Sequence, residues 1–112
     1  MGFRPRKFPR FLLKVPVVFA WRDEHGSRRR ARGYTRDLGP GGMYLIAPRC
    51  PPRGTAVGLE AYLPPLSPIA PYWLMQARGR VVRVESEPNS EGLAGFAAVS
   101  EEVTLKAVEQ AA

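Results

Sequence analysis

The stretch "RDLGPGGMYL", Arg36 to Leu45, sets one acid ahead of three glycines and a proline and then enters an apolar segment. Asp, Gly and Pro in one cluster mark a tight turn, because each favours a bend for its own steric or hydrogen-bonding reason. Both flanks of that turn alternate. Upstream, Arg28, Arg30, Arg32, Tyr34 and Arg36 alternate with Arg29, Ala31, Gly33 and Thr35, so one face is nearly all basic and stands outside any core. Downstream, Met43, Leu45 and Ala47 share one side of an extended segment, with Tyr44 and Ile46 on the other. A strand, a glycine corner and a second strand are the expectation, and the rest of the chain repeats the pattern.

Working outward, Leu13, Val15, Val17, Phe19 and Trp21 recur at spacing two, which suits a half-buried strand. Pro16 within it fits an edge or an unpaired position. Asp23 to Ser27 has the composition of a hairpin loop. Val57, Leu59, Ala61 and Leu63 alternate again, and prolines 64, 65, 68 and 71 mark a long loop after them. "YWLMQARGRVVRVE" reads as a long strand with a bulge or close backbone approach at Gly79, and "LAGFAAV" as a last strand whose Gly95 lets a neighbour pack near. Trp21, Trp73 and Phe96 are expected in the core. Beyond Ser100, a candidate N-cap, Glu101 and Glu102 suit the first turn of a short helix with Val103, Leu105, Ala107 and Val108 as its apolar stripe. Five or six strands, short turns and one terminal helix predict a small antiparallel barrel, in which closure removes exposed sheet edges.

The chain of 112 residues suits one domain, and 45% apolar against 24% charged residues excludes a disordered chain. Lys14 and Pro16 interrupt the longest apolar run, so no membrane helix is expected, and no signal-peptide pattern follows the basic start; a cytoplasmic protein is the simplest expectation. Cys50 is the only cysteine and His25 the only histidine, which leaves no internal disulfide and no metal-ligand spacing. Neither a nucleophile elbow nor paired acids occur among the strands, so an enzyme is not expected. The glycines of the corner are not a phosphate loop, since a strand and not a helix follows.

Charge points to recognition instead. Of 17 Lys and Arg, 11 lie within residues 1–36 against Asp23 and Glu24, whereas six glutamates and only Lys106 lie from Glu85 onward. The first part of the chain therefore attracts phosphate-bearing partners. Guanine offers O6 and N7 acceptors to an Arg fork and N1 and N2 donors to a carboxylate. An Arg pair beside one Asp and a glycine turn suits a guanine nucleotide. Four Arg pairs stand at spacing four, so spacing alone is weak evidence; position selects Arg6 and Arg10, in a basic arm just before the first strand, with Asp37 following Arg10 by 27 residues.

These elements resemble the PilZ domain family. Its signature is RxxxR before the first strand and, some twenty to thirty residues later, D/N-x-S-x-x-G between the second and third strands. The matches are Arg6-Lys7-Phe8-Pro9-Arg10 and Asp37-Leu38-Gly39-Pro40-Gly41-Gly42, and the likeness continues through "PPRGTAVGLEAYLP", "RGRVVRV" and "GLAGF" over nearly the whole chain. The resemblance implies a six-stranded antiparallel β-barrel, residues 12–100, carrying a flexible basic N-terminal arm at 1–11 and a short C-terminal α-helix at 101–112 packed on the barrel. It also implies binding of the bacterial second messenger cyclic di-GMP, by a domain that changes conformation and signals to a protein partner. Carried over residue by residue, the ligand-binding set is Arg6, Arg10, Asp37, Gly39 and Gly42, with Arg36 as an added phosphate contact, and no catalytic or metal residue. Gly39 departs from the pattern, because the family places serine there. One missing hydroxyl removes a hydrogen bond worth about 0.5 to 1.5 kcal/mol, roughly twofold to tenfold in affinity. The departure leaves open an adaptor that acts by protein contact without nucleotide. A nucleic-acid partner is disfavoured for lack of exposed aromatic platforms.

Overall fold

The computed structural model describes residues 14–39, 41–63, 65, 67–85, 87–89 and 91–108. Six strands follow one another: β1 (Pro16–Arg22), β2 (Arg28–Gly39), β3 (Gly42–Ala47), β4 (Ala56–Leu63), β5 (Tyr72–Glu85) and β6 (Ala94–Val108). They close into an antiparallel barrel in the order β1-β2-β3-β6-β5-β4. The arm with Arg6 and Arg10 lies outside the described residues.

Alternation in sequence becomes alternation in burial. Val15, Val17, Phe19 and Trp21 of β1 and its entrance point inward, as do Val57, Leu59 and Ala61 of β4 and Met75, Ala77 and Val81 of β5. Phe96 fills the centre, fully buried, with its ring edge-on to Phe19 at 5.1 Å; Phe19 stacks in turn on Trp21 at 5.7 Å. The first polar seam is Thr35, whose buried hydroxyl accepts the Val15 N–H at 2.9 Å where the chain enters β1. Pro16 sits at the start of β1, exposed, one residue before pairing with β4 begins at Val17. In the β1–β2 loop the Asp23 carboxylate accepts the His25 and Ser27 N–H groups, each at 2.9 Å, and Gly26 supplies a φ of 77°. Although desolvation alone would raise it, the Ser27 N–H, Arg29 and the His25 N–H hold the Asp23 carboxyl below its usual value.

The register of β5 against β6 shifts between Arg78 and Gly79, the position the sequence marks as a bulge. A Cβ at Gly79 would collide with the Val99 carbonyl, so the two backbones approach more closely than any other residue allows.

Two expectations are corrected. Residues 101–108 are not helix: they continue β6, and Glu102 to Val108 pair with Arg78 to Tyr72 of β5. "VTLKA" places Val103, Leu105 and Ala107 at spacing two as well as on a helical stripe, and the long partner strand settles the ambiguity in favour of the sheet. Residues 109–112 lie outside the described residues. Trp73 is not core: it keeps core-facing parity on β5, paired with Leu63 and Ala107, but this row lies beyond the packed interior and leaves the indole 44% exposed.

Phe96→Ala removes one of the two fully buried phenylalanines of this interior and is expected to lower unfolding free energy by about 3–5 kcal/mol, read by urea denaturation. A loss below about 1 kcal/mol would contradict the central position given to Phe96.

Candidate functional site

The corner between β2 and β3 is built by one irregularity. Strand register shifts between Thr35 and Asp37, so that Thr35 points into the core while Arg36 is the extra residue of a bulge. Beyond the bulge Asp37 pairs with Tyr44, Leu38 with Met43 and Gly39 with Gly42. Leu38 and Met43 belong to the core, which turns Asp37, Tyr44, Gly39 and Gly42 to the outer face. A row then runs round the outside of the barrel: Asp37 pairs with Tyr44, Tyr44 with Ala97, and Ala97 with Arg83.

Along this row the side chains pack as a layer. Tyr44 is only 2% exposed although it faces outward, because the Arg36 guanidinium lies over its ring at 3.7 Å from the centroid and that of Arg83 at 5.7 Å. Gly95 makes the room: a Cβ there would fall 2.7 Å from the Tyr44 ring. Burial, then the Glu85 carboxylate nearby, pushes the Tyr44 hydroxyl up to about 12, against the opposite pull of Arg36 and Arg83. Asp37, 6% exposed, has its carboxylate 3.7 Å from the Arg36 Nε. Arg36 is itself half exposed, and so presents donors to solvent beside a sheltered carboxylate.

Gly42 has a packing duty of its own. A Cβ at that position would stand 2.6 Å from the Ala98 carbonyl, so only glycine lets β3 lie this close to β6. Gly39 is half-buried and extended at the end of β2 and is not among the positive-φ glycines, which are Gly26, Gly54 and Gly92 among the described residues. Its φ therefore does not itself require glycine.

Asp37, Gly39, Gly42 and Arg36 are thus brought together on one outer corner, while Arg6 and Arg10 lie outside the described residues. Tyr44 and Arg83 complete the layer, and sequence reading missed them. Tyr44 was legible as the outward residue of "MYLIA"; Arg83 was not, because a second register shift between Val81 and Arg83 decides which residues of "VVRV" face outward. Arg28 and Arg30 belong to a different region, a groove of about 350 Å³ lined also by Ala20, Gly58, Arg78 and Glu102. Among the described residues no cluster of His, Cys, Asp or Glu could hold a metal ion. Burial raises the Cys50 thiol above its ordinary value, which suits packing against the core better than nucleophilic chemistry. No helix among the described residues is long and apolar enough to cross a membrane.

The chemistry of the corner is that of an anion and amide reader: guanidinium forks for phosphate or a purine edge, and a sheltered carboxylate for paired N–H donors.

Comparison with known proteins gives concordant results. The family model of the PilZ domain matches residues 4–108. The fold is similar to that of the Bacillus subtilis inhibitor of motility MotI (DgrA), with a TM-score of 0.65 at 16% identity, covering 91% of this chain and 45% of that one. It is also similar to the PilZ domain of Escherichia coli YcgR with c-di-GMP, with a TM-score of 0.57 at 12% identity, covering 88% of this chain and 79% of that one. This chain therefore spans less than half the length of the MotI chain. A comparison with curated proteins gives no match.

The Tyr44 layer has a signature in alkali. Its hydroxyl ionises at about 12 in the folded protein against 10.0 ordinarily, so the unfolded chain releases this proton first. Stability from this group is complete below about pH 10 and is lost as pH rises towards 12. Urea unfolding followed from about pH 8 to 11.5 is expected to show a steeper alkaline loss for the native chain than for Tyr44→Phe. Equal slopes would refute the assignment.

Proposed function

The chain belongs to the PilZ domain family, whose members are non-catalytic cyclic di-GMP-binding adaptors, and from that premise we propose that it is a cyclic di-GMP receptor acting on a protein partner. The observation that carries the reading is the span of the family match. It begins at residue 4, so Arg6 and Arg10 fall inside it together with the outer corner that holds Arg36, Asp37, Gly39 and Gly42.

In this reading residues 1–11 form a basic arm that closes over the corner of the barrel. Arg6 and Arg10 reach the guanine edges and phosphates, Asp37 accepts the N1 and N2 donors of a guanine, and Arg36, braced on the Tyr44 ring, adds a phosphate contact. The lack of a side chain at Gly42 leaves the corner open to the ligand while satisfying the strand packing beneath it. Ordering the arm on the barrel changes the surface offered to a partner, a familiar form of switch. The reading carries a cytoplasmic location with it.

Gly39 favours a second reading. Without the hydroxyl that the family places there, the corner has one hydrogen bond fewer, and an adaptor working by protein contact alone would need none. Such an adaptor would retain its partner in pull-down whether or not cyclic di-GMP is present, and would tolerate Arg6→Ala.

Calorimetric titration with cyclic di-GMP separates the two. Saturable binding is expected, weakened on the order of ten- to a hundredfold by Arg10→Ala or Asp37→Ala, since each removes hydrogen bonds to charged groups. Gly39→Ser, which the extended backbone admits, is expected to tighten binding by roughly two- to tenfold. The absence of saturation at high micromolar ligand would sink the receptor reading and leave the adaptor.

A further inference from the structure

We propose that β6 is a dimerisation strand: within its second half, Glu102–Lys106 pairs antiparallel with the same segment of a second copy, about a two-fold axis at Thr104. The inference stands apart from nucleotide binding.

The strand has two neighbours over only part of its length. β3 pairs with β6 from Ala94 to Val99 and stops, its last contact being the Ser100 N–H on the Gly41 carbonyl at 3.4 Å. From Glu101 onward only β5 lies alongside, so among the described residues one edge of the segment has no strand beside it. Free edges invite pairing, and proteins ordinarily blunt them with proline, bulges or several lysines. This edge has no proline and only Lys106, and its one bulge, at Glu101, stands where the free stretch begins and leaves Glu102–Val108 regularly paired with β5.

The inner face of the same segment is also uncovered. Val103 and Leu105 keep core-facing parity opposite Ala77 and Met75, yet they are 41% and 56% exposed, and Trp73 lies in the next row. Three large apolar side chains standing together on an open sheet edge fit an interface better than a solvated surface.

The sequence of the segment selects the occupant, because it is complementary to itself. In an antiparallel pair centred on Thr104, Val103 lies opposite Leu105 of the other copy, twice, on the inner face. On the outer face Glu102 lies opposite Lys106, again twice, and Thr104 meets its own equivalent. Apolar and opposite-charge cross-strand pairs are the combinations that stabilise neighbouring strands. Glu101, the extra residue of the β5–β6 bulge and ion-paired with Arg80 at 3.4 Å, would come level with Ala107 at the end of this pairing. Moving the centre by one residue loses the Glu102–Lys106 and Val103–Leu105 pairs: about Val103, Lys106 would be left opposite Ser100, and about Leu105, Glu102 would face Val108. The +7 net charge of the chain opposes self-association in general, but residues 101–108 carry two glutamates and one lysine, so repulsion is weak where the copies would meet. Glu102 is already ion-paired with Arg78 of its own copy, and Lys106 of the second copy would extend that row. Such an isologous contact joins the barrel sheets of the two copies through their β6 strands into one continuous sheet.

Sedimentation equilibrium of the full chain is expected to give a mass approaching twice 12.4 kDa as concentration rises. Leu105→Glu, at a half-exposed position, is expected to return it to a monomer with an unchanged circular dichroism spectrum. Lys106→Glu sets like charges opposite each other and weakens the dimer; adding Glu102→Lys restores it. Register is read by cross-linking in a Cys50→Ser background. Thr104→Cys brings two thiols together at the axis and gives a disulfide-linked dimer on mild oxidation, whereas with Ala107→Cys the thiols are six residues apart along the strand, about 20 Å, and do not link. A monomeric mass at every concentration, or equal cross-linking of the two cysteine variants, overturns the proposal. The first outcome would hand the exposed face to this chain's own terminal residues or to a different protein.

Discussion

Everything in this molecule depends on the stagger that lets six strands close. Followed through β3, Tyr34 connects to Ile46 and then to Gly95 of β6. Its neighbour Gly33, followed the other way through Val17, Ala61 and Met75, arrives at Leu105 of the same strand. The two routes meet β6 ten residues apart, and that offset is the tilt a small barrel needs to close around a filled interior. One strand must therefore be long enough to serve β3 with its first half and β5 with its whole length. β6 is that strand, at 15 residues.

This demand explains why the end of the chain was misread. "SEEVTLKAVEQ" carries a cap, two acids in the first turn and an apolar stripe, all of which are local helix signals. They are worth little against a ladder of backbone hydrogen bonds to β5, which only tertiary pairing can supply. The exposure of Trp73 has the same origin: parity along β5 was legible, but the place where the barrel ends was not, because it is set by stagger among strands far apart in sequence. By contrast, the strands themselves, the Asp23–Ser27 hairpin and the break at Gly79 were legible, since each follows from period-two burial or from a residue type with special backbone freedom.

At the candidate corner the sequence showed the residues but not the device that presents them. Simple alternation would have placed Asp37 on the side of Thr35, inside the barrel. The bulge at Arg36 reverses the parity, and a carboxylate that would have been stranded in the core lies instead under a guanidinium on the outer face. That carboxylate is still sheltered, which is what lets a hydrogen-bonding partner compete with water for it. Tyr44 fixes the roof: a buried ring beneath Arg36 restricts the guanidinium to one plane, and Gly95 exists to admit that ring. Tyr44 of β3 and Gly95 of β6 thus help to set the posture of Arg36, and neither stands in the short motif that the turn itself displays.

Stagger also makes the corner and the free edge neighbours. Gly42, the last residue of the corner, pairs with Val99, and the next residue but one on β6 is Glu101, where the outer edge becomes free. The Gly41 carbonyl reaches Ser100 between them at the long distance of 3.4 Å, so the junction is held by a weak hydrogen bond rather than by packing alone. A side chain at Gly42 would force the two strands apart, because a Cβ there falls 2.6 Å from the Ala98 carbonyl. A ligand bound at the turn, as proposed, would act on β6 at the residue where its pairing with β3 ends, and a partner strand laid along residues 102–106 would bear on the same point from the other side. In a barrel with only six strands, closure sets the candidate corner and the free stretch of β6 on one junction.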